Sequence, residues 1–235
     1  MKKVFLAILA LGMLASCACD GLKVYMYKTE PLAEENRRIS DFERIELLGS
    51  LDVKYMQADS FSVKVKAPVD VLKNVETRVE GSTLKINMRG EGNWLHFGIS
   101  DSKNVTVYVT SPDFLGIELR GSGDFKCKHL LDTDNLDISL NGSGDIEFDD
   151  ILCDCINVSL VGSGDVELKK VKALQSYINL VGSGDIKMRF DDSGTVESDL
   201  TGSGDITLSG SVKRYHSNVR GSGDMHSEGL RVEDK

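Results

Sequence analysis

The sequence has little proline, few aromatic residues and no excess of basic charge. Only 3 of its 235 residues are proline against 23 glycines, and apolar residues are spread along the chain. This composition excludes collagen and disfavours low-complexity disorder. The 28 Lys and Arg residues are outnumbered by 37 Asp and Glu residues, for a net charge of −9. Nucleic-acid binding is therefore disfavoured, because it needs a basic surface to neutralise phosphates.

Motifs of catalysis are also lacking. The four histidines are scattered, and no nucleophile elbow or phosphate-cradling loop occurs. The sequence therefore predicts a protein that is not an enzyme and has no cofactor.

The longest apolar run lies at the N-terminus and is too short to cross a membrane. It extends from Val4 to Leu14 after two lysines, whereas a spanning helix needs about 20 apolar residues. Basic residues, an apolar stretch and then small residues are typical of a secretory signal, predicted here at residues 1–16. The sequence Leu14-Ala15-Ser16-Cys17 resembles the lipobox of bacterial lipoproteins. It predicts lipid attachment at Cys17, with ordinary secretion as the alternative.

The residues after Cys17 predict where such a lipoprotein is located. Ala18 stands where an aspartate would retain it in the inner membrane, so we expect an outer-membrane lipoprotein of the cell envelope, on either the periplasmic or the surface side. Residues 17–40 are polar and weakly patterned, and are predicted to tether the lipid to the folded part. Loss of residues 1–16 with their two lysines would change the net charge from −9 to −11.

A four-residue motif, Gly-Ser-Gly-Asp, is the strongest signal in the chain. Its six copies begin at Gly121, Gly142, Gly162, Gly182, Gly202 and Gly221, and hold just over half of the 23 glycines. A period near 20 residues is typical of a solenoid, in which each unit buries its apolar face by stacking on its neighbours. A degenerate seventh copy is Gly49-Ser50-Leu51-Asp52.

Apolar residues alternate with polar ones on both sides of the motif. Leu119, Leu140, Leu160, Leu180, Leu200 and Val219 stand two residues before it, and Phe125, Ile146, Val166, Ile186, Ile206 and Met225 follow it directly. This pattern predicts strand, turn and strand with one face inward. In parallel register, Lys126 would lie beside Glu147 and Glu167 beside Lys187, which favours a parallel β-helix over separate hairpins.

Residues 41–109 lose the period but keep a strand-like alternation. Examples are Val63-Lys64-Val65 and Leu84-Lys85-Ile86, with a turn predicted at Gly81-Ser82. We expect these residues to pack on and cap the solenoid of residues 110–229, which a tail of residues 230–235 follows. The predicted fold class is all-β: a parallel β-helix or solenoid with about 20 residues per rung, preceded by a less regular β region.

These repeats resemble the head GIN domain family of auto-transporter adhesins. The resemblance rests on Gly-Ser-Gly-Asp units preceded by an Ile/Val-x-Leu strand, and it covers residues 41–226. Leu51 departs from the motif in the degenerate copy. The resemblance implies a right-handed β-helix in the cell envelope, often lipid-anchored, without an assigned catalytic activity.

The motif aspartates are a candidate site. In stacked rungs, Asp124, Asp145, Asp165, Asp185, Asp205 and Asp224 would form a ladder with a spacing of about 4.8 Å, and their charges would repel. Serine hydroxyls and glycine N–H groups in the same turns would relieve the repulsion, which gives the ladder a structural role. Calcium binding is the alternative, because calcium takes carboxylate and carbonyl oxygens. The structural role is favoured, since calcium-binding β-rolls repeat every nine residues.

The cysteines carry no metal-site pattern. Cys127 falls in an inward column and is predicted to be a buried apolar side chain. Cys153-Asp154-Cys155 lacks the spacing of a zinc pair. Export permits disulfides, and the pairing of these three cysteines stays open.

A second candidate site holds the single tryptophan. Trp94, His96 and Phe97 lie between Gly92 and Gly98 and are a candidate contact loop, since aromatic residues dominate interfaces. The favoured interpretation is that Trp94 and Phe97 instead cover an open edge of the solenoid. One outward column of the repeats is polar and short, without an aromatic platform for sugar rings: Glu118, Ser139, Ser159, Asn179, Asp199 and Asn218.

The function predicted from these features is a non-catalytic adhesion, interaction or structural module of the cell envelope. Its partners would be the membrane, through the lipid, and a protein or glycan at the cell surface. A carbohydrate-active β-helix enzyme, a polysaccharide lyase or hydrolase, is one alternative, because some β-helices have that activity. A calcium-binding envelope protein is the other.

Overall fold

A computed structural model describes residues 31–89 and 105–233 of the protein. Its first part contains seven strands and a single turn of helix. They are β1 (Leu32–Arg37), β2 (Arg44–Gly49), β3 (Asp52–Gln57), β4 (Ser62–Pro68), α1 (Val69–Leu72), β5 (Val75–Glu80), β6 (Thr83–Met88) and β7 (Thr106–Ser111). In the described ranges, no helix has the length and apolar character to cross a membrane.

The second part consists of strands that follow the 20-residue period. They are β8 (Gly116–Gly121), β9 (Asp124–Asp132), β10 (Asn135–Gly142), β11 (Asp145–Gly162), β12 (Asp165–Gly182), β13 (Asp185–Gly202), β14 (Ile206–Gly221) and β15 (Met225–Val232). Each of the long strands β11 to β14 pairs in parallel with its sequence neighbours. The predicted all-β parallel solenoid is confirmed.

The side chains of one rung show how the chain turns around the core. In β11, buried and solvent-facing residues alternate, except at Asp149–Asp150 and Asp154–Cys155, where two consecutive residues are not buried. Register shifts occur at the equivalent places in neighbouring pairs. These two corners and the motif turn divide a rung into three sides. We call the side that leads into the motif the pre-motif face; it comprises β2, β8, β10 and residues 156–162, 176–182, 196–202 and 215–221.

The motif glycines stack directly on each other. Gly162 pairs with Gly142 on one side and with Gly182 on the other. Its φ of +137° is rare for other residues, and a Cβ atom on Gly162 would overlap the backbone oxygen of Gly142. Glycine is therefore required here both by the backbone conformation and by the approach of the next rung.

The parallel register that the charged columns predict is confirmed. Lys126 lies opposite Glu147, and Glu167 lies opposite Lys187. Glu147, however, forms its ion pairs with Lys128 and Lys169 of the flanking rungs. Long side chains reach diagonal neighbours as well as direct ones. The predicted register is therefore correct, although Glu147 does not form the ion pair with Lys126 that the register suggested.

The degenerate copy of the motif belongs to the stack. Gly49 pairs with Gly121, so β2 and β3 lie next to β8 and β9 in parallel register. Beyond them, β6 pairs with β2 and β7 with β3, also in parallel. The antiparallel strands β5, β4 and β1 then complete this end, and Gly81-Ser82 forms the predicted turn between β5 and β6. The less regular β region is confirmed.

The core is a column of apolar side chains inside the coil. Aromatic rings stack along the axis, with 4.2 Å between the centroids of Tyr55 and Phe114 and 5.3 Å between those of Phe125 and Phe148. Cys127 is fully buried among them, as predicted from its inward column. The core contains more polar side chains toward the C-terminus, where Ser193 and Ser198 are buried.

Candidate functional site

Two outward columns on the pre-motif face carry the polar side chains of the candidate site. The first consists of Asp137, Asn157, Tyr177, Glu197 and His216, which are paired in register from β10 to β14. The second, two residues further along each strand, includes Ser139, Ser159, Asn179 and Asp199. Because the inward neighbours are packed in the core, alternation holds both columns toward solvent.

These columns form an open groove of about 310 Å³ across β10 to β13. The short Ser139 and Ser159 leave space beside the longer side chains of the first column. A second hollow of about 300 Å³ adjoins it, shares Tyr177 and Glu197, and adds Arg214. The combined surface crosses successive rungs along the solenoid axis.

Asp137 lies at the end of the groove nearer β8, and both of its carboxylate oxygens accept hydrogen bonds. Its Oδ1 accepts a hydrogen bond from Asn157 Nδ2 at 2.8 Å, and its Oδ2 accepts one from Arg44 Nη2, also at 2.8 Å. Partial burial by itself would raise the pKa of Asp137, but the bonds from Asn157 and Arg44 outweigh it and lower that pKa. Asp137 therefore stays ionised, with its charge balanced by Arg44.

The opposite end of the groove is acidic, with an aromatic ring beside it. Asp199 Oδ1 accepts a hydrogen bond from Asn218 Nδ2 at 3.0 Å. Tyr177 is 41% exposed, and its hydroxyl donates only a long bond of 3.5 Å to Gln175 Oε1. Thr195 Oγ1 accepts a bond from Arg214 Nη2 at 2.9 Å. Amide, hydroxyl and carboxylate groups are thus presented beside one accessible aromatic face.

Sequence reasoning missed this groove because it assessed only one of the two columns. The column that begins at Glu118 contains no aromatic residue, and its short side chains argued against a sugar platform. The neighbouring column, five residues before the first motif glycine, contains Tyr177 and His216. This column can be identified from the repeat in the sequence, but the stacking of the rungs is needed to show that both columns border one groove.

The aspartate ladder is used in hydrogen bonds between rungs. Asp165 Oδ1 accepts from the backbone N of Asp185 at 3.2 Å, and Asp185 Oδ1 accepts from the N of Asp205 at 3.2 Å. The same bond joins Asp205 Oδ1 to the N of Asp224, and Asp52 Oδ1 to the N of Asp124. The donors are aspartate N–H groups of the next rung rather than the serine and glycine groups that the sequence suggested. These bonds favour the structural role, and calcium binding by the ladder stays the untested alternative.

One histidine lies next to the end of this ladder. Among the described residues, Asp205, Asp224 and His226 form a group of side chains whose ligand atoms lie within 4.8 Å of one another. His226 Nε2 is 3.9 Å from Asp205 Oδ2, and both side chains are about half exposed. The equivalent position in earlier rungs is occupied by Lys126, Glu147, Glu167, Lys187 and Thr207.

The remaining candidate residues are the cysteines and the aromatic loop at Trp94. Cys127, Cys153 and Cys155 are free thiols. Burial raises the pKa of Cys127 to about 11 and that of Cys153 to about 12, so neither is a reactive thiolate at neutral pH. The predicted lipid site Cys17 and the candidate contact loop of Trp94, His96 and Phe97 lie outside the described residues.

Comparisons with known proteins agree on the fold. A family model described as "Putative auto-transporter adhesin, head GIN domain" matches residues 41–171 and 157–235. A crystal structure of a "putative adhesin" from Bacteroides fragilis is 21% identical, with a TM-score of 0.68, and the match covers 83% of this chain and 96% of that one. No curated protein matches the chain.

Two solved structures from Parabacteroides distasonis are also similar. A "putative lipid binding protein" is 21% identical, with a TM-score of 0.53 and coverage of 86% of this chain and 97% of that one. A "putative adhesin" is 17% identical, with a TM-score of 0.54 and coverage of 84% and 97%. At these identities the solved structures show a common fold.

Proposed function

The chain belongs to the family described as "Putative auto-transporter adhesin, head GIN domain", and on that premise we propose that it is a non-catalytic adhesin of the bacterial cell envelope. We infer that it recognises its ligand through the groove on the pre-motif face. The observation that carries this proposal is the continuous row of outward polar side chains, with Tyr177 among them, across β10 to β13.

The pairing of the strands under the groove supports a recognition role. Strands β10 to β13 carry the groove, and each of them pairs in parallel with another strand on both sides. Side chains on such a sheet are held at fixed spacings, so binding orders few additional groups and loses little entropy. A preorganised surface of this kind suits adhesion.

The position of β1 supports a membrane-anchored adhesin. β1 begins at Leu32 and pairs with β4, at the end of the solenoid that antiparallel strands complete. In our proposal Cys17 carries lipid, and the residues before Leu32 link it to that end. The groove on β10 to β13 would then be displayed several rungs away from the membrane.

Asp137 lacks a property expected of the catalytic acid in the alternative, a glycan-cleaving enzyme. Acid catalysis of glycoside cleavage uses a carboxyl group whose pKa is raised so that it can donate a proton. The bonds from Asn157 and Arg44 instead lower the pKa of Asp137 and engage both of its oxygens.

Attachment of whole cells tests the adhesin proposal. Cells that express the full chain are compared with cells that express Asn157→Ala/Tyr177→Ala, by counting the cells retained on immobilised mucin and on a lawn of other bacteria. We expect the wild type to attach and the groove variant to lose most of that attachment at equal surface expression. Leu174→Ala is the matched control, because Leu174 lies on β12 and is 63% exposed outside the groove.

Two further variants separate the parts of the proposal. Cys17→Ser should move the protein from the membrane fraction to the soluble fraction, and persistence in the membrane pellet would contradict lipid anchoring. Trp94→Ala should leave attachment unchanged. Loss of attachment in Trp94→Ala with an unaffected groove variant would assign recognition to the candidate contact loop and overturn the groove.

A further inference from the structure

We propose that the ligand of the groove is an uncharged polysaccharide that lies along the solenoid axis with a sugar ring stacked on Tyr177. This inference rests on the proposed function, since it names the ligand class of the same groove.

The side chains of the groove suit a ligand rich in hydroxyl groups. Asn157 and Asn179 each offer an amide that donates and accepts hydrogen bonds, and Ser159 offers a hydroxyl that does both. A sugar hydroxyl also donates and accepts, so it can satisfy either kind of group. The exposed ring of Tyr177 supplies an apolar surface for the C–H face of a sugar, and its hydroxyl, which makes only a long bond to Gln175, can accept a further hydrogen bond at the edge of the ring.

The spacing of these groups suits a polymer. Asn157, Tyr177 and Glu197 are in register on three successive rungs, and Ser159, Asn179 and Asp199 repeat beside them. Neighbouring strands lie about 4.8 Å apart, so four rungs from Asp137 to Glu197 span about 14 Å. A linear chain that crosses the strands would meet a side chain able to form hydrogen bonds at each rung, at a regular spacing.

A peptide is a poorer match for the same surface. Extended peptides bind sheets by adding a strand to a free edge. The strands under the groove are paired on both sides, so their backbone groups are already used. Tyr177 is the single large exposed hydrophobic residue among the described residues that line the groove, so the anchor pockets that an apolar helix needs are lacking there.

The charge of the groove favours an uncharged chain over an anionic one. Asp137 is balanced by Arg44. Asp199 has an amide partner, Asn218, and in the described part of the chain neither Asp199 nor Glu197 forms an ion pair. Uronate or sulfate groups would lie near these two carboxylates, and like charges across an interface disfavour binding.

Binding of defined sugars by the purified full chain tests the inference. A glycan array is followed by isothermal titration calorimetry with cellohexaose, mannohexaose, chitohexaose and polygalacturonate. We expect at least one neutral glycan to bind, with an affinity that hardly changes with salt, and polygalacturonate to bind more weakly. Tyr177→Ala should weaken binding about tenfold or more, as expected for a central aromatic contact, whereas Tyr177→Phe should keep it within about threefold because the ring remains.

Two controls link the binding to the groove and its charge. Leu174→Ala should bind like the wild type, and circular dichroism should show equal folding for all variants. Glu197→Gln removes one unpaired carboxylate from the groove and should strengthen the binding of polygalacturonate, whereas unchanged binding of that anionic chain would contradict the charge argument.

The outcomes separate this inference from the adhesin proposal. No neutral glycan bound, or binding that Tyr177→Ala leaves intact, overturns the polysaccharide assignment. If the groove variant still loses cell attachment, the adhesin proposal survives with a different ligand class. If sugars bind but cell attachment does not depend on the groove, the glycan site is supported and the adhesin role is contradicted.

Discussion

At the scale of single residues, the motif glycines show why the repeat tolerates so little variation. Gly162 has positive φ, and any side chain on it would overlap the backbone of Gly142. Gly81 also has positive φ, at +64°, but an added Cβ there would meet nothing within 4 Å. Alanine substitutions at the two positions therefore separate the free-energy cost of the backbone conformation from that of the close packing between rungs.

We expect Gly162→Ala to destabilise the protein by about 3 kcal/mol or more, because strain at positive φ is added to a backbone overlap that no side-chain rotation relieves. Gly81→Ala should cost about 1 kcal/mol, from the backbone conformation alone. Urea denaturation followed by circular dichroism measures both. Equal losses would show that packing between rungs does not require the glycine.

Asp145 shows the electrostatic cost of the ladder. Burial, followed by the charges of Asp124 and Asp165, raises its pKa above the ordinary value of 3.8, despite a hydrogen bond from the backbone of Asp165. A carboxyl group with a raised pKa in the folded state favours folding when protonated. Its contribution to stability therefore falls as the pH rises from about 3.8 through the raised pKa, and is lost above it.

Asp145→Asn should consequently stabilise the protein at pH 7, by about 0.5 kcal/mol because the site is partly exposed and screened. The amide oxygen of the variant can still accept the bond from Asp165. The gain should disappear below pH 3.8, where the aspartate is already neutral, and denaturation at a series of pH values checks this. Asp149→Asn is the contrasting variant and should destabilise at pH 7, since Asp149 pairs with Lys169 at 2.9 Å.

At the scale of elements, the C-terminal half of β14 is an edge. Residues 214–221 pair with β13, whereas β15 pairs with the first half of β14 only, so in the described structure residues 214–221 have a neighbour on one side. Lys213, Arg214 and Arg220 are exposed on this half-strand. In an antiparallel contact between two copies centred on Ser217, Arg214 would oppose Arg220, so like charges protect the edge from self-pairing.

Replacement of these charges should therefore promote self-association. We expect Arg214→Thr/Arg220→Thr to form dimers or larger species at protein concentrations where the wild type is monomeric, as measured by light scattering after size exclusion. Lys172→Thr/Lys187→Thr removes the same charge from strands paired on both sides and should behave as the wild type does. Similar association of both variants would point to net charge as the cause.

At the scale of the whole molecule, stability is built from contacts between neighbouring rungs. The antiparallel strands β1, β4 and β5 are the outermost paired strands at the N-terminal end. The C-terminal end has the half-paired β14, the short β15 and partly exposed apolar residues such as Val219. In a linear array, a rung with one neighbour opens more easily than a rung with two.

Hydrogen exchange should show this gradient along the axis. Backbone amides of β10 to β12 are expected to exchange slowest, and those of residues 213–221 and β15 fastest, with protection that rises rung by rung between them. Mass spectrometry of peptic fragments measures the deuterium uptake of each segment. Uniform protection from β8 to β15 would show that the solenoid opens as a single unit.

The sequence by itself determined the rungs and their register. Gly-Ser-Gly-Asp at a fixed period permits one stacking, because a shift of one residue would place Leu160 or Ile146 in solvent and a side chain where only glycine fits. Cys127 was correctly placed in the core for the same reason. These are local or strictly periodic constraints, and they are visible in a linear string.

Tertiary structure alone decided what the periodicity does not encode. Gly49 pairs with Gly121 across 71 residues of intervening chain, Glu147 pairs with Lys128 and Lys169 in place of Lys126, and two outward columns border one groove at Tyr177. Each depends on which side chains face each other across rungs and on how far they reach. The repeat specifies the scaffold because backbone packing tolerates only glycine at its turns, whereas the recognition surface arises from outward side chains that packing leaves free to vary.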